Sequence, residues 1–134
     1  MKFLVVGVFL FVALVQVKAL TDKQKELLAQ HYKQCVELSK VDPTVLQKAR
    51  SGDFANDDKL KQHILCIAKK SGFQNEAGVL QRSVIKTKLK EALKGDEVKT
   101  QELVNTCAVA KPDPKLQAFE AFKCIYQKAK INLL

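Results

Sequence analysis

The sequence predicts an all-α fold, a compact bundle of about six helices, and three observations carry that expectation. Apolar residues recur at three- and four-residue spacing through most of the chain. Strictly alternating apolar residues never persist, and no Asn-Gly hairpin turn occurs. Four cysteines, Cys35, Cys66, Cys107 and Cys124, each sit in an apolar stretch, as expected of two disulfides stapling a small secreted domain.

The elements follow in order. Residues 1–19, MKFLVVGVFLFVALVQVKA, read as a secretory signal peptide: Lys2 is the basic start, Phe3 to Val15 the apolar run, and Val17-Lys18-Ala19 the cleavage site. The apolar run is shorter than the roughly 20 residues needed to span a bilayer. The expected mature chain is one domain over residues 20–134, secreted and soluble. Thr21-Asp-Lys-Gln24 is a capping box for a first helix, with Leu28, Tyr32, Cys35, Val36 and Ser39 on one face. Asp42-Pro43 starts a second helix carrying Val45, Leu46 and Ala49, and Ser51-Gly52 stops it. Asn56-Asp57-Asp58 opens a third, placing negative charge at the positive end of the helix dipole. Its run Ile64-Leu-Cys-Ile-Ala68 is apolar on nearly all sides, which predicts a central position; Lys69, Lys70 and Gly72 close it.

Phe73 to Gly78 reads as a loop. A fourth helix starts at Val79 or Ser83 and runs to Leu93, with Leu80, Val84, Ile85, Leu89 and Leu93 as its apolar stripe and lysines over the rest. Asp96 caps a fifth helix in which Val98, Leu103, Val104, Cys107 and Ala108 are expected to face inward. Lys111-Pro-Asp-Pro114 is a break. The last helix, from about Asp113 to Ala129, carries Phe119, Phe122 and Tyr126, and residues 131–134 form an apolar tail.

Removing Lys2 and Lys18 lowers the formal charge from +9 to +7. The lysines are scattered and alternate with apolar residues, so they read as solvated helix faces, and no arginine cluster supports phosphate recognition. No catalytic constellation emerges. His31 and His63 are the only histidines and read as polar or half-buried helix residues; neither lies in a zinc-binding spacing, and no serine lies in a Gly-x-Ser-x-Gly elbow. Neither an enzymatic activity nor a metal or other cofactor is expected. What remains is the apolar inventory. It fits a small domain stapled because it is small, and equally a helical shell around an apolar ligand cavity.

A resemblance breaks that tie. The segment Asp58-Lys-Leu-Lys-Gln-His-Ile-Leu-Cys-Ile-Ala-Lys-Lys-Ser-Gly-Phe73 and the later Ile85-Lys-Thr-Lys-Leu look like an insect odorant-binding protein of the PBP/GOBP family. The full family pattern has six cysteines. Here the positions of one bridge hold Gln62 and Lys115, so the chain resembles the four-cysteine "minus-C" subfamily, which includes beetle haemolymph and accessory-gland B proteins. The resemblance implies bridges Cys35–Cys66 and Cys107–Cys124 and an internal pocket for a small hydrophobic ligand such as an odorant, pheromone or other lipophile. It also implies a monomer, or at most a weak dimer, that works in sensillar lymph, haemolymph or reproductive secretion, hands its ligand to an olfactory receptor, binds no nucleic acid and inserts stably in no membrane. Relative to the cysteines, Leu28, Ile64, Ala68, Val104 and Ile125 resemble pocket walls, and Leu80, Ile85 and Leu89 would line the pocket from the fourth helix. Amphipathic phase adds Phe73 and Phe122, and the hydroxyl of Tyr32 or Tyr126 is the candidate for orienting an alcohol or carbonyl. The lost third bridge predicts a looser pocket mouth between the third and last helices. The competing reading is a cationic haemolymph or seminal-fluid protein acting on membranes or partner proteins, which needs an exposed apolar face beside lysines on one helix, the fourth being nearest to this.

Overall fold

Short acidic caps start four of the helices, as the sequence predicts. In a computed structural model that describes residues 26, 27 and 29–134, six helices are present among the described residues. The predicted signal peptide lies outside them. Contacts divide the chain into residues 1–33 and residues 34–134. In the first unit the described residues are helical, and this helix, α1, continues to residue 39. The remaining helices belong to the second unit. They are α2 (Pro43–Arg50), α3 (Asp58–Lys70), α4 (Arg82–Ala92), α5 (Glu97–Cys107) and α6 (Pro114–Ala129).

Asp42, Asp57, Asp96 and Asp113 each accept a backbone N–H of the helix they precede, at 2.7–3.1 Å. Pro43 and Pro114 occupy first-turn positions, where a missing N–H costs nothing. α4 has no such side-chain cap. Its first residue, Arg82, is tied instead to the end of α5, both Nε and Nη2 donating to the Ala108 carbonyl at 3.1 and 2.9 Å.

α6 packs against α3 and α5, and α4 packs on α5. The buried faces are Leu60, Ile64, Ile67 and Ala68 from α3, Leu103 and Val104 from α5, and Ala118, Phe119, Ala121, Phe122 and Ile125 from α6. Disulfides join Cys35 to Cys66 and Cys107 to Cys124, the connectivity that the resemblance implies. The first ties the end of α1 to α3 and the second ties α5 to α6. The corner between α3 and α6 has no bridge. There Asp58 accepts from Gln62 Nε2 at 3.1 Å and pairs with Lys115 Nζ at 3.0 Å, so the two positions that hold no cysteine meet through one carboxylate.

Three expectations are corrected. Val98 is 71% exposed rather than inward-facing, because α5 buries Thr100, Leu103, Val104 and Cys107, a face that leaves Val98 on the far side. Val84 of the α4 stripe is exposed as well; Ile85 and Leu89 carry the buried face. His63 is not half-buried but fully enclosed, at 0% exposure. The apolar tail folds back on the end of α2. Asn132 Nδ2 donates to the Arg50 carbonyl, Arg50 Nε donates to the Leu134 carbonyl at 3.3 Å, and Leu134 is buried.

Candidate functional site

The connection between α3 and α4 is built as a small hairpin. Gln74 and Leu80 form an isolated antiparallel bridge, Gln81 N donates to the Phe73 carbonyl at 2.8 Å, and Asn75 N donates to the Val79 carbonyl at 3.0 Å. Gly78 closes the turn at φ +83°, and a Cβ there would lie 2.9 Å from the Pro114 ring, so glycine lets the turn seat on the start of α6. Two buried glutamines fasten it. Gln117 Nε2 donates to the Gly78 carbonyl at 2.7 Å while its Oε1 accepts from Lys111 N at 2.9 Å. Gln74 Nε2 donates to the same Gly78 carbonyl at 3.1 Å and to the Pro114 carbonyl at 3.3 Å.

Beneath this hairpin lies an enclosed apolar cavity. The hairpin contributes Phe73, Gln74 and Leu80; α3 contributes Ala68, α4 Ile85 and the end of α5 Ala108; α6 contributes Ala118, Ala121, Phe122 and Ile125. Phe73 and Phe122 meet edge to face, with ring centroids 6.0 Å apart. Small side chains make the space: four of the lining residues are alanines. It is tight, at about 10 Å³. Among the described lining residues Gln74 alone is polar and none is charged.

The sequence-predicted pocket residues divide cleanly. Ala68, Phe73, Leu80, Ile85, Phe122 and Ile125 come together on this wall. Leu80 does so from the hairpin, because α4 begins only at Arg82. Ile64, Leu89 and Val104 are buried but sit one turn away from a lining residue on their own chain segment, and they are packed core. Tyr32 lies on α1, and Leu28 lies outside the described residues. Tyr126 does not line this cavity. Its hydroxyl donates to the Ser51 carbonyl at 3.2 Å and its ring covers Gly52, so it anchors the turn after α2. Sequence reasoning missed Gln74, Ala108, Ala118 and Ala121. Ala118, Ala121, Phe122 and Ile125 form one stripe at helical spacing, a legible signal; nothing in the local pattern singles out Gln74.

The predicted loose mouth does not coincide with this cavity: neither Gln62 nor Lys115 lines it. Of the apolar stripe that a membrane-binding face on α4 would need, Ile85 and Leu89 are turned inward and Val84 is exposed. Among the described residues no group of acidic, cysteine or histidine side chains could hold a metal ion, and no helix is long and apolar enough to cross a membrane.

The profile of the PBP/GOBP family matches residues 17–128. The chain is 36% identical over 114 residues to the B1 protein of Tenebrio molitor, covering 85% of this chain and 87% of the relative. It is 35% identical over 112 residues to general odorant-binding protein 56a of Drosophila melanogaster, covering 78% of each. Among solved structures, the fatty acid binding protein OBP56a from the oral disk of the blowfly Phormia regina superposes with a TM-score of 0.61 at 30% identity, covering 81% of this chain and 92% of that one. The THP12 carrier protein from yellow meal worm gives 0.61 at 36% identity, covering 72% and 88%.

Proposed function

As the chain belongs to the PBP/GOBP family, we propose that it is a secreted carrier that reversibly holds a small lipophilic molecule in the cavity beneath the 73–81 hairpin. The observation that carries this reading is the cavity's wall: aromatic, aliphatic and alanine side chains from four helices and a hairpin, with one glutamine among them and no polar surface turned to the space. Such a surface does no chemistry on its contents. It removes apolar surface from water, and burying about 300 Å² of an alkyl ligand gives roughly 7 kcal/mol before binding costs. A blowfly relative is named for fatty acid binding, which supports a lipophilic cargo, and a mealworm relative is named a carrier protein, which supports carriage. The 1–19 segment directs the chain to an extracellular fluid, where disulfides persist.

Ala121 provides the test. It is buried on α6 and part of the wall. Replacing it with leucine fills the space the cargo would take, at about 1–3 kcal/mol of stability. In isothermal titrations with saturated alkyl ligands, the wild type binds in the micromolar range and Ala121→Leu loses at least about tenfold in affinity. A folded Ala121→Leu protein that binds as tightly as wild type moves the ligand elsewhere and overturns the assignment of this cavity.

A further inference from the structure

A second space opens on the outer side of α3, and among the described residues none lines both it and the cavity beneath the hairpin. It is an open groove of about 350 Å³. Ligand pockets usually measure about 300–1,000 Å³, so this groove is large enough to hold a small molecule. Leu38 at the end of α1, with Leu65 and the bridged Cys66 of α3, supplies its apolar side. Leu38 is 73% exposed, more than any other large apolar side chain among the described residues. A single exposed leucine is ordinary. One that shares a groove of this size with a second leucine offers apolar surface on which an alkyl chain can leave water.

The charged lining is unbalanced. Lys69 and Lys70 of α3 stand against one carboxylate, that of Glu76 on the hairpin. None of the three is in an ion pair among the described residues, whose pairs are Lys86–Glu97, Lys90–Glu97 and Lys115–Asp58. Lysines in the last turn of a helix are expected from the helix dipole alone. The dipole does not account for two leucines and a groove beside them. A neutral lipophile would gain nothing from the two free ammonium groups, and a cationic one would be repelled. An anionic headgroup pairs with them while its chain covers the leucines. We propose that this groove is a second binding site, for a free alkyl carboxylate: the chain lies over Leu38 and Leu65, and the carboxylate meets Lys69 and Lys70. The proposal does not depend on what the cavity beneath the hairpin holds.

The test uses two probes that share an alkyl chain and differ in charge, decanoate and decyltrimethylammonium. Methyl NMR titrations of the wild-type mature chain at pH 7.4 and low salt read the groove through Leu38 and Leu65. Both should shift on adding decanoate, and decyltrimethylammonium should bind there at least about fivefold more weakly. Lys69→Gln with Lys70→Gln should lower the affinity for decanoate by about three- to tenfold and abolish the preference for the anion. Glu76→Gln, which removes the opposing charge, should raise it. Leu38→Ser, at an exposed position, should weaken both probes alike, by at least about threefold. If decanoate shifts the methyls of Ile85 and Ile125 in the inner cavity and leaves Leu38 and Leu65 in place, the groove is refuted while the carrier reading survives. If the cation binds at Leu38 and Leu65 as tightly as the anion, the selection by charge is refuted. If phosphatidylglycerol vesicles shift these two methyls and decanoate does not, the groove is a membrane contact and the proposal falls.

Discussion

His63 has no polar partner in hydrogen-bond geometry at either ring nitrogen, and it is completely enclosed on α3. Burial, and to a lesser degree the positive charge of Arg50, hold its pKa below the ordinary 6.5; the Cys35 backbone beside the ring offsets part of this. The folded chain therefore takes up a proton on His63 less readily than the unfolded chain does. Its contribution is intact above pH 6.5 and is lost as pH falls below that value toward the folded pKa, at up to about 1.4 kcal/mol per pH unit. Urea midpoints measured between pH 7.5 and 5.5 should fall for the wild type, and the slope should flatten in His63→Leu; an equal slope in both would remove His63 as the cause. Gly52 is a second residue with a definite role. It takes φ +99°, and a Cβ there would collide with the Tyr126 ring. Gly52→Ala should cost about 2 kcal/mol or more in chemical denaturation, whereas a cost under half of that would mean the ring swings aside freely. Neither role is written in local pattern. The histidine's burial and the pairing of Tyr126 with the turn after α2 both come from side chains that meet across long sequence separations.

Between elements, covalent and electrostatic ties divide the work. The bridge Cys35–Cys66 closes 31 residues and Cys107–Cys124 closes 17. In the chain-entropy account these are worth roughly 3.7 and 3.1 kcal/mol, so replacing either pair by alanine should lower stability by about 2–4 kcal/mol, the first slightly more. Two-state urea curves check this, and a variant as stable as wild type would contradict it. α4 and α5 are also clasped by Glu97, which contacts Lys86 Nζ at 2.7 Å and Lys90 Nζ at 2.8 Å. These lysines pull its carboxyl down to about 2. The clasp is present above the ordinary 4.5 and is lost as pH falls toward 2. It is exposed, so salt should screen it: adding NaCl should lower the thermal midpoint of the wild type more than that of Glu97→Gln, and identical salt responses would rule the clasp out. At this scale much was legible. Caps, prolines and terminal glycines placed the helices, and the cysteines read through the family resemblance gave the pairing. The errors have physical causes. From sequence Val98 reads as inward-facing because valine counts as apolar and threonine does not. Thr100, fully buried with its hydroxyl donating to the Asp96 carbonyl at 2.6 Å, marks the true inner face. Leu80 reads from sequence as part of the fourth helix, but the bridge to Gln74 holds it in the hairpin.

For the proposed carriage of cargo in the cavity beneath the hairpin, the decisive fact is how little space that cavity has. Ligand pockets usually measure about 300–1,000 Å³, and this one is about 10 Å³. Carriage therefore requires a wall to move. The amphipathic stripes made an apolar interior legible in the sequence, but the tightness of its closure depends on how alanines and aromatic rings interdigitate, which periodicity does not encode. The helical walls resist movement: α5 and α6 are joined by a disulfide, and α3 is bridged to α1 and packed along α6. The 73–81 hairpin has no covalent tie. A few backbone bonds hold it, with Gln74 and Gln117 grasping one carbonyl, that of Gly78. Opening should run through this hairpin, whose local unfolding is less costly than that of the helices. A ligand bound beneath it at 100 times its dissociation constant stabilises the closed, loaded state by about 2.7 kcal/mol. Hydrogen exchange at Asn75, Gly78 and Gln81, whose amides make the hairpin's backbone bonds, should therefore be faster than at Ile64 and Ile67 of α3 in the free protein, and should slow by up to about a hundredfold on saturation with an alkyl ligand. Protection that rises in α3 and α6 while the hairpin amides keep exchanging at their free rate would show that the cargo enters between helices instead.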